Sequence, residues 1–362
     1  MTYLDANATE RLRPEARAAV LAALEGGGNP SSVHAAGRAA RRLLEDARET
    51  IAAAFGARPA DLVFTSGGTE ADALAVHALG KGRRLIRGAT EHDAIRSATT
   101  DAAVVPVDRE GVVDLEALRR LIAADGQALV CLMLANNETG ALQPVAEAAR
   151  LCREAGALLH VDAVQAAGRI GVDFAALGAD GLAISSHKLG GPQGAGALLL
   201  APAVSAAATP LIGGGGQERG RRGGTPALPA IAGFAAAARV ARPSPALAAL
   251  RDAAERGALA TGGVALGAGA PRLPNTTCLA LPGVRAETQV IALDLAGIEV
   301  SAGAACSSGK VSRSHVLDAM GAGTLAGEAI RVSLPWCATA ADVDAFLHAY
   351  RAMAERLSRR VA

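Results

Sequence analysis

The chain has 362 residues, enough for a large core and two domains, and a net charge of +1, which gives no bulk attraction for nucleic acid or an anionic membrane. Its 51% hydrophobic content is swollen by alanine, with aromatics at only 2%, and its longest uncharged stretch, Leu189 to Gln217, is cut by Pro192, Pro202 and Pro210, so it lacks the run of about 20 helix-compatible apolar residues that a membrane span needs. Met1-Thr2-Tyr3-Leu4-Asp5 holds neither a basic segment nor an apolar signal core, and the five cysteines (131, 152, 278, 306 and 337) make no CxxC pair or short metal-ligand spacing, so the expectation is a cytoplasmic chain with mostly packed, reduced thiols and no metal.

Pro14 opens an alanine-rich helix that stops at Gly26-Gly27-Gly28, with proline first and glycine last. Residues 33–55 predict a longer helix ending at Gly56, with Arg38, Arg41, Arg42, Glu45 and Asp46 on its wet side. Short apolar runs follow at Leu62-Val63-Phe64, Arg84-Leu85-Ile86, Val104-Val105, Ala128 to Leu134, Leu158 to Val161 and Leu182-Ala183-Ile184. Helix-compatible segments such as 114–124 and 145–155 lie between most of them. This β-α-β rhythm predicts an α/β fold with a mainly parallel sheet flanked by helices. Arg242-Pro243-Ser244-Pro245 breaks the pattern and marks the expected domain boundary, giving a large domain over 13–245 and a smaller α/β unit from 1–12 with 246–362.

Polar signatures recur where these strands end. Ser185-Ser186-His187-Lys188-Leu189-Gly190-Gly191-Pro192 places one lysine between an apolar run and a glycine-rich turn, where it can form an imine with an aldehyde cofactor or simply be a solvated surface lysine. Asp162 closes the run Ala157 to Val161, with Gln165 three residues on; it reads as a helix N-cap or as a carboxylate that keeps a ring nitrogen protonated. Asp162 and Lys188 are one helix plus one strand apart, the arrangement that pyridoxal phosphate wants. Thr65-Ser66-Gly67-Gly68-Thr69-Glu70 opens a helix to about Leu79 and offers backbone N–H groups and a hydroxyl to a phosphate, or is only a capped helix. Thr90-Glu91-His92 presents a histidine able to stack on a flat ring and move protons, and Asn136-Asn137-Glu138 closes another strand. The glycine-rich basic stretch Gly213 to Thr225 lacks the GxxxxGK[ST] spacing; it is a solvated loop or one that carries arginine and threonine to a phosphate.

Among the cysteines, Cys306 alone has small, polar, flexible surroundings, Ser301 to Lys310, which suit a thiol on a mobile loop with Lys310 favouring its thiolate; a loop cysteine with no role is the other reading. Arg331 interrupts the apolar run Ala329 to Leu334 and calls for an anion, a substrate carboxylate being the natural one.

Together these segments resemble the cysteine desulfurase family, pyridoxal-phosphate enzymes of the class V aminotransferase group, nearly end to end: Tyr3-Leu4-Asp5 onward, Gly28-Asn29-Pro30-Ser31-Ser32, Thr65 to Glu70, Thr90 to His92, Asn136 to Glu138, His160 to Gln165, Ser185 to Lys188, Gly216 to Gly220 and Arg331 to Leu334. The resemblance implies the aspartate-aminotransferase-like fold, with pyridoxal 5'-phosphate held by Lys188 as the imine lysine, His92 stacked on the ring, Asp162 at the ring nitrogen and Gln165 near the ring hydroxyl. It implies phosphate contacts from Gly68, Thr69, Ser185 and His187, and from Thr225 to the partner subunit's cofactor in a homodimer. Asn137 and Arg331 would clamp the carboxylate of L-cysteine, and Cys306 would accept its sulfur as a persulfide and pass it to an acceptor such as an iron–sulfur scaffold protein, as in the branch with a long mobile cysteine loop. Selenocysteine lyase, an ordinary transaminase and a non-catalytic sulfur carrier are the rival readings. Four positions depart from the family's common choices: Ala6, Glu10, Gly223 in place of serine, and Pro335 in place of glycine.

Overall fold

In this computed structural model, residues 1–124, 127–303 and 313–358 are described. Strand β1 (Thr2–Tyr3) is followed by helices Pro14–Gly26 and Ala35–Ala54. The first helix has Pro14 at its opening and stops at Gly27, whose φ of 60° is left-handed. In the second, Ala40, Leu44, Ala47 and Ile51 form a buried stripe at helical spacing, while Arg38, Arg41, Arg42 and Asp46 face solvent and Glu45 is half-buried.

Seven strands then build the main sheet: β2 (Leu62–Thr65), β3 (Arg84–Gly88), β4 (Ala103–Val105), β5 (Ala128–Met133), β6 (Leu158–Asp162), β7 (Gly181–Ser185) and β8 (Gly196–Leu200). Their order is β2-β8-β7-β6-β5-β3-β4, with β8 antiparallel to both neighbours and the other strands running one way. The apolar runs listed from sequence account for all but β8. That strand is as apolar and buried as its neighbours, but it lies inside the uncharged, proline-interrupted stretch that sequence reading left undivided.

Alternation along the strands shows why both faces are covered. Val130, Leu132, Leu182, Ile184 and Leu199 pack in one apolar cluster with Ile51 and Phe234. Their strand neighbours Leu129, Cys131, Ala183 and Leu198 pack in another with Leu74 and Leu79 of helix Gly68–Leu79. Continuous apolar strands are what a sheet between two helical layers requires, and each fully buried leucine or isoleucine contributes about 1.5–3 kcal/mol.

After helices Leu228–Val240 and Pro245–Leu259 comes a four-stranded antiparallel sheet. It is assembled from β9 (Val264–Leu266), β10 (Thr276–Ala280), β12 (Ser301–Ala302) and β13 (Ala329–Ser333), while β11 (Ile298–Glu299) pairs in parallel with β1. A separate apolar cluster around Leu279, Leu293, Ile330, Phe346 and Tyr350 packs under this sheet, and Leu4 from the amino-terminal segment belongs to it. Among the described residues no helix is long and apolar enough to cross a membrane.

The basic stretch 213–225 is fastened down. Glu218 is buried, accepts both arms of the Arg48 guanidinium at 2.8 Å and takes the Phe64 N–H at 2.9 Å. Glu218 (φ 49°) and Arg219 (φ 58°) are non-glycine residues in the left-handed region, a strain of roughly 1–3 kcal/mol each that this bidentate pair helps hold. Arg222 pairs with Glu70 at 2.8 Å, so the stretch is also tied to the turn that opens helix Gly68–Leu79. The solvated-loop reading of this stretch does not hold at Glu218, Arg221 or Arg222: Glu218 and Arg221 are buried and Arg222 is half-buried.

Candidate active site

Because β2, β3, β5, β6 and β7 run the same way, their carboxyl ends deliver polar residues to one edge of the sheet. A cavity opens there, with about 510 Å³ of empty space including its open mouth. Gly68, Thr69, His92, Asn137, Gln165, Ser185, His187 and Lys188 all line it, joined by Asp72 and Val164.

Each side chain is positioned by its local chain. Gly68 begins its helix packed so closely on Val164 that a Cβ there would lie 2.6 Å from the valine Cγ2, so only glycine brings this helix terminus to the cavity. His92 caps helix Asp93–Ala98: its Nδ1 accepts the Ala94 N–H at 3.1 Å, which assigns the ring proton to Nε2. Asn136 closes an Asx turn by accepting the N–H groups of Glu138 and Thr139, and so fixes the intervening Asn137. Asp162 ends β6 with Oδ1 accepting the Val164 N–H at 2.9 Å. The Ser185 hydroxyl is buried at the end of β7 and has no hydrogen-bond partner among the described residues.

Lys188 donates to the carbonyls of Asn7 (2.5 Å) and Ala8 (2.9 Å). Asn7 also receives the Gln165 amide on its carbonyl at 3.0 Å, and its own Nδ2 donates to the carbonyl of Asn137 and to Thr276 Oγ1. Arg331, only 2% exposed on β13, donates to the Asn137 carbonyl at 3.1 Å and pairs with Asp5 at 2.7 Å. The amino-terminal segment thus knits the two sheets together beside the cavity.

Burial dominates the electrostatics. It raises the Asp162 carboxyl above its ordinary range, against the pull of His92, the Val164 N–H and Lys188. Behind it, burial pushes Asp72 well up, with Asp162 and Glu91 adding to the effect. Glu91 is pushed up to about 8, again by burial first. His160 Nε2 meets Asp72 Oδ1 at 2.9 Å, and burial pushes this imidazole down to about 4. Around neutral pH, Glu91 therefore keeps its proton and His160 stays neutral, while burial favours the protonated form of Asp72. Asp162, with His92 and Lys188 beside it, is the carboxyl of the three best supported to ionise.

Thr225 lies outside this cavity and lines a neighbouring hollow with Thr65, Ser66 and Arg222. Cys306 falls outside the described residues. The chain roots on either side of its segment are placed by Glu138: Ser314 Oγ donates to Glu138 Oε2 at 2.6 Å, and a Cβ on Gly303 would come within 2.7 Å of the same oxygen. Sequence reading missed Asp5, Asn7, Asp72 and Glu138 as parts of the site. Asp72, one turn beyond the Gly68-Thr69 helix opening, and Glu138, next to Asn137, had usable local signals; Asp5 and Asn7 are recruited by contacts remote in sequence.

Comparison with known proteins identifies the family. A sequence model of the family described as aminotransferase class-V matches residues 2–346. The chain is 43% identical to a cysteine desulfurase of Cereibacter sphaeroides, covering 98% of this chain and 96% of that one. It is 39% identical to an IscS-like cysteine desulfurase of Mycobacterium tuberculosis over 96% of this chain and 94% of the relative. A solved NifS-like protein from Rickettsia africae superposes with a TM-score of 0.91 at 35% identity, covering 98% of this chain and 99% of the other. The chain belongs to the class-V aminotransferase family, among its cysteine desulfurases.

Proposed function

We propose that this enzyme converts L-cysteine to L-alanine and delivers the sulfur as a persulfide on Cys306. The observation that carries the reading is the shared cavity: Lys188, His92 and the helix opening at Gly68-Thr69 line one space, with Asp162 beneath it at the adjoining strand end.

The residues fit pyridoxal 5'-phosphate. The unpartnered Ser185 hydroxyl and the N–H groups at Gly68 and Thr69 suit its phosphate, with His187 beside them. Asp162 suits its ring nitrogen, Gln165 its ring hydroxyl and His92 its ring face. When bound, the cofactor supplies an aldehyde that joins amines and a protonated ring that withdraws electrons from the substrate's α-carbon.

The chain's own groups do the rest. Arg331 binds the substrate carboxylate, with Asp5 and the Asn137 carbonyl holding its guanidinium in plane. Lys188 Nζ takes the α-proton, and His92, whose Nε2 carries the mobile proton, moves protons at the substrate. The Cys306 thiolate attacks the substrate sulfur; the S–S bond forms, the carbon–sulfur bond breaks, and its electron pair stays on the β-carbon, which takes a proton to give alanine. The Cys306 thiol and cysteine thus become the Cys306 persulfide and alanine, with atoms and charge balanced.

The resemblance of the segment around Cys306 to the long-loop branch supports transfer onward to an iron–sulfur scaffold protein in the cytoplasm. Thr225, in a hollow apart from Lys188, supports a homodimer in which it serves the partner subunit's cofactor. The test is mass spectrometry after brief exposure to cysteine. A one-sulfur adduct on Cys306 is expected in the native enzyme, while Cys306→Ala should keep the cofactor's visible absorbance and its change on adding cysteine yet form no adduct; normal alanine production by that variant overturns the reading.

A further inference from the structure

A second cavity, with about 520 Å³ of empty space, lies on the other side of Lys188, which lines both cavities. Its wall carries Arg13, Arg169 and Arg242, with Glu10 as the one acidic residue and Trp336 closing one side. Among the described residues none of these three arginines forms an ion pair. Arg13 spends its Nε on the Leu189 carbonyl and stacks its guanidinium over the Trp336 ring at 4.8 Å. Arg242 donates to the carbonyls of Ala238 and Ala241.

Arg169 is the most telling. It is 5% exposed, its two terminal nitrogens bond Gln165 and the Ala6 carbonyl, and its buried Nε has no partner among the described residues. A buried guanidinium normally has an anion. Glu10 is the one carboxyl that acts on both Arg169 and Arg13, but it forms no ion pair with either, its Oε1 is occupied by the N–H groups of Arg11 and Trp336, and one carboxyl faces three guanidiniums.

We infer that this cavity is a binding site for a small oxyanion, a carboxylate or an inorganic oxoanion, held between the Arg169, Arg13 and Arg242 guanidiniums.

Trp336 is the only tryptophan of the chain, so its fluorescence reports on this wall without reference to catalysis. The experiment titrates the cofactor-loaded protein with sodium sulfate and, separately, with sodium acetate, each against sodium chloride at matched ionic strength. A saturable fluorescence change with one or both oxyanions, absent with chloride, is expected; which salt acts separates an inorganic oxoanion from a carboxylate. Arg169→Gln and Arg242→Gln should each weaken the response about tenfold or more, as loss of a charge-assisted hydrogen bond does. Arg242 is exposed and tolerant, so its variant carries the test if Arg169→Gln folds poorly. No change beyond that caused by chloride, or the same midpoint in Arg242→Gln, overturns the inference and leaves the desulfurase reading untouched.

Discussion

The two sides of Lys188 bury opposite charges and meet opposite fates. On the cofactor side three carboxyls, Asp162, Asp72 and Glu91, are buried, Asp72 in the cavity wall itself, and burial drives all three upward. On the other side Arg169 is sunk as deeply, and burial drives it down, but only to about 10. A carboxyl's ordinary range lies close enough to neutrality that burial can discharge it; a guanidinium's does not. The acidic side can shed surplus charge by taking up protons, whereas the basic side keeps its charge with only Glu10 to set against three guanidiniums.

Replacing the wall between the two sides should have the largest effect. Lys188→Ala is expected to lower alanine formation by about a thousandfold or more, since an anchor and a general base are lost together. The visible absorbance of the cofactor-loaded enzyme should shift from that of a lysine-linked aldehyde to that of a free one.

Asp162→Asn tests whether the acidic side keeps its one useful charge. We expect kcat to fall by roughly a hundredfold with the fold intact, because the cofactor ring loses the carboxylate that holds its proton. A fall below threefold in steady-state alanine release would mean that the charge at Asp162 is dispensable.

Glu91 predicts a pH signature in stability. Its folded value of about 8 stands above an unfolded value near 4.5, so the folded chain holds a proton that the unfolded chain has lost across that window. Its contribution is fully present below about 4.5 and is lost as pH rises to 8, with a limiting slope of about 1.4 kcal/mol per pH unit. Urea melts of the native chain and Glu91→Gln at pH 6 and pH 8 should show a smaller loss in the variant.

The smallest effect belongs to Asp72→Asn. If Asp72 already carries a proton, the amide mimics it and can still donate to His160 Nε2, so stability should move by less than about 1 kcal/mol. A change above 3 kcal/mol in the same melts would show that a buried negative charge had been removed.

Much of this arrangement could be read from the chain before its coordinates. Lys188, Asp162, His92 and the Gly68-Thr69 turn each follow a short apolar run, so local pattern alone puts them at strand ends, and the parallel topology then brings them to one edge. Strand β8 escaped because its Gly196–Leu200 run lacks polar punctuation of its own inside a glycine- and proline-rich stretch. Arg331 was legible as an arginine wanting an anion, but its partner was not: Asp5 is 326 positions away and meets it only because the chain just after β1 bridges to Ser333 of β13. Arg169 and Glu10 were illegible as cavity residues for the same reason, since nothing near a lone charged residue in the sequence says which side of the fold it will line.

The link from Asp5 to Arg331 also sets an order of events. During synthesis Lys188 leaves the ribosome more than a hundred residues before β13 does. Until then the carbonyls of Asn7 and Ala8 have no second sheet to lie against, and loop closure over so long a separation comes late in folding. On the proposed function, a nascent chain therefore exposes its imine lysine before it owns a substrate clamp. Truncation before residue 331 should leave a protein that can capture an aldehyde but not select an amino acid.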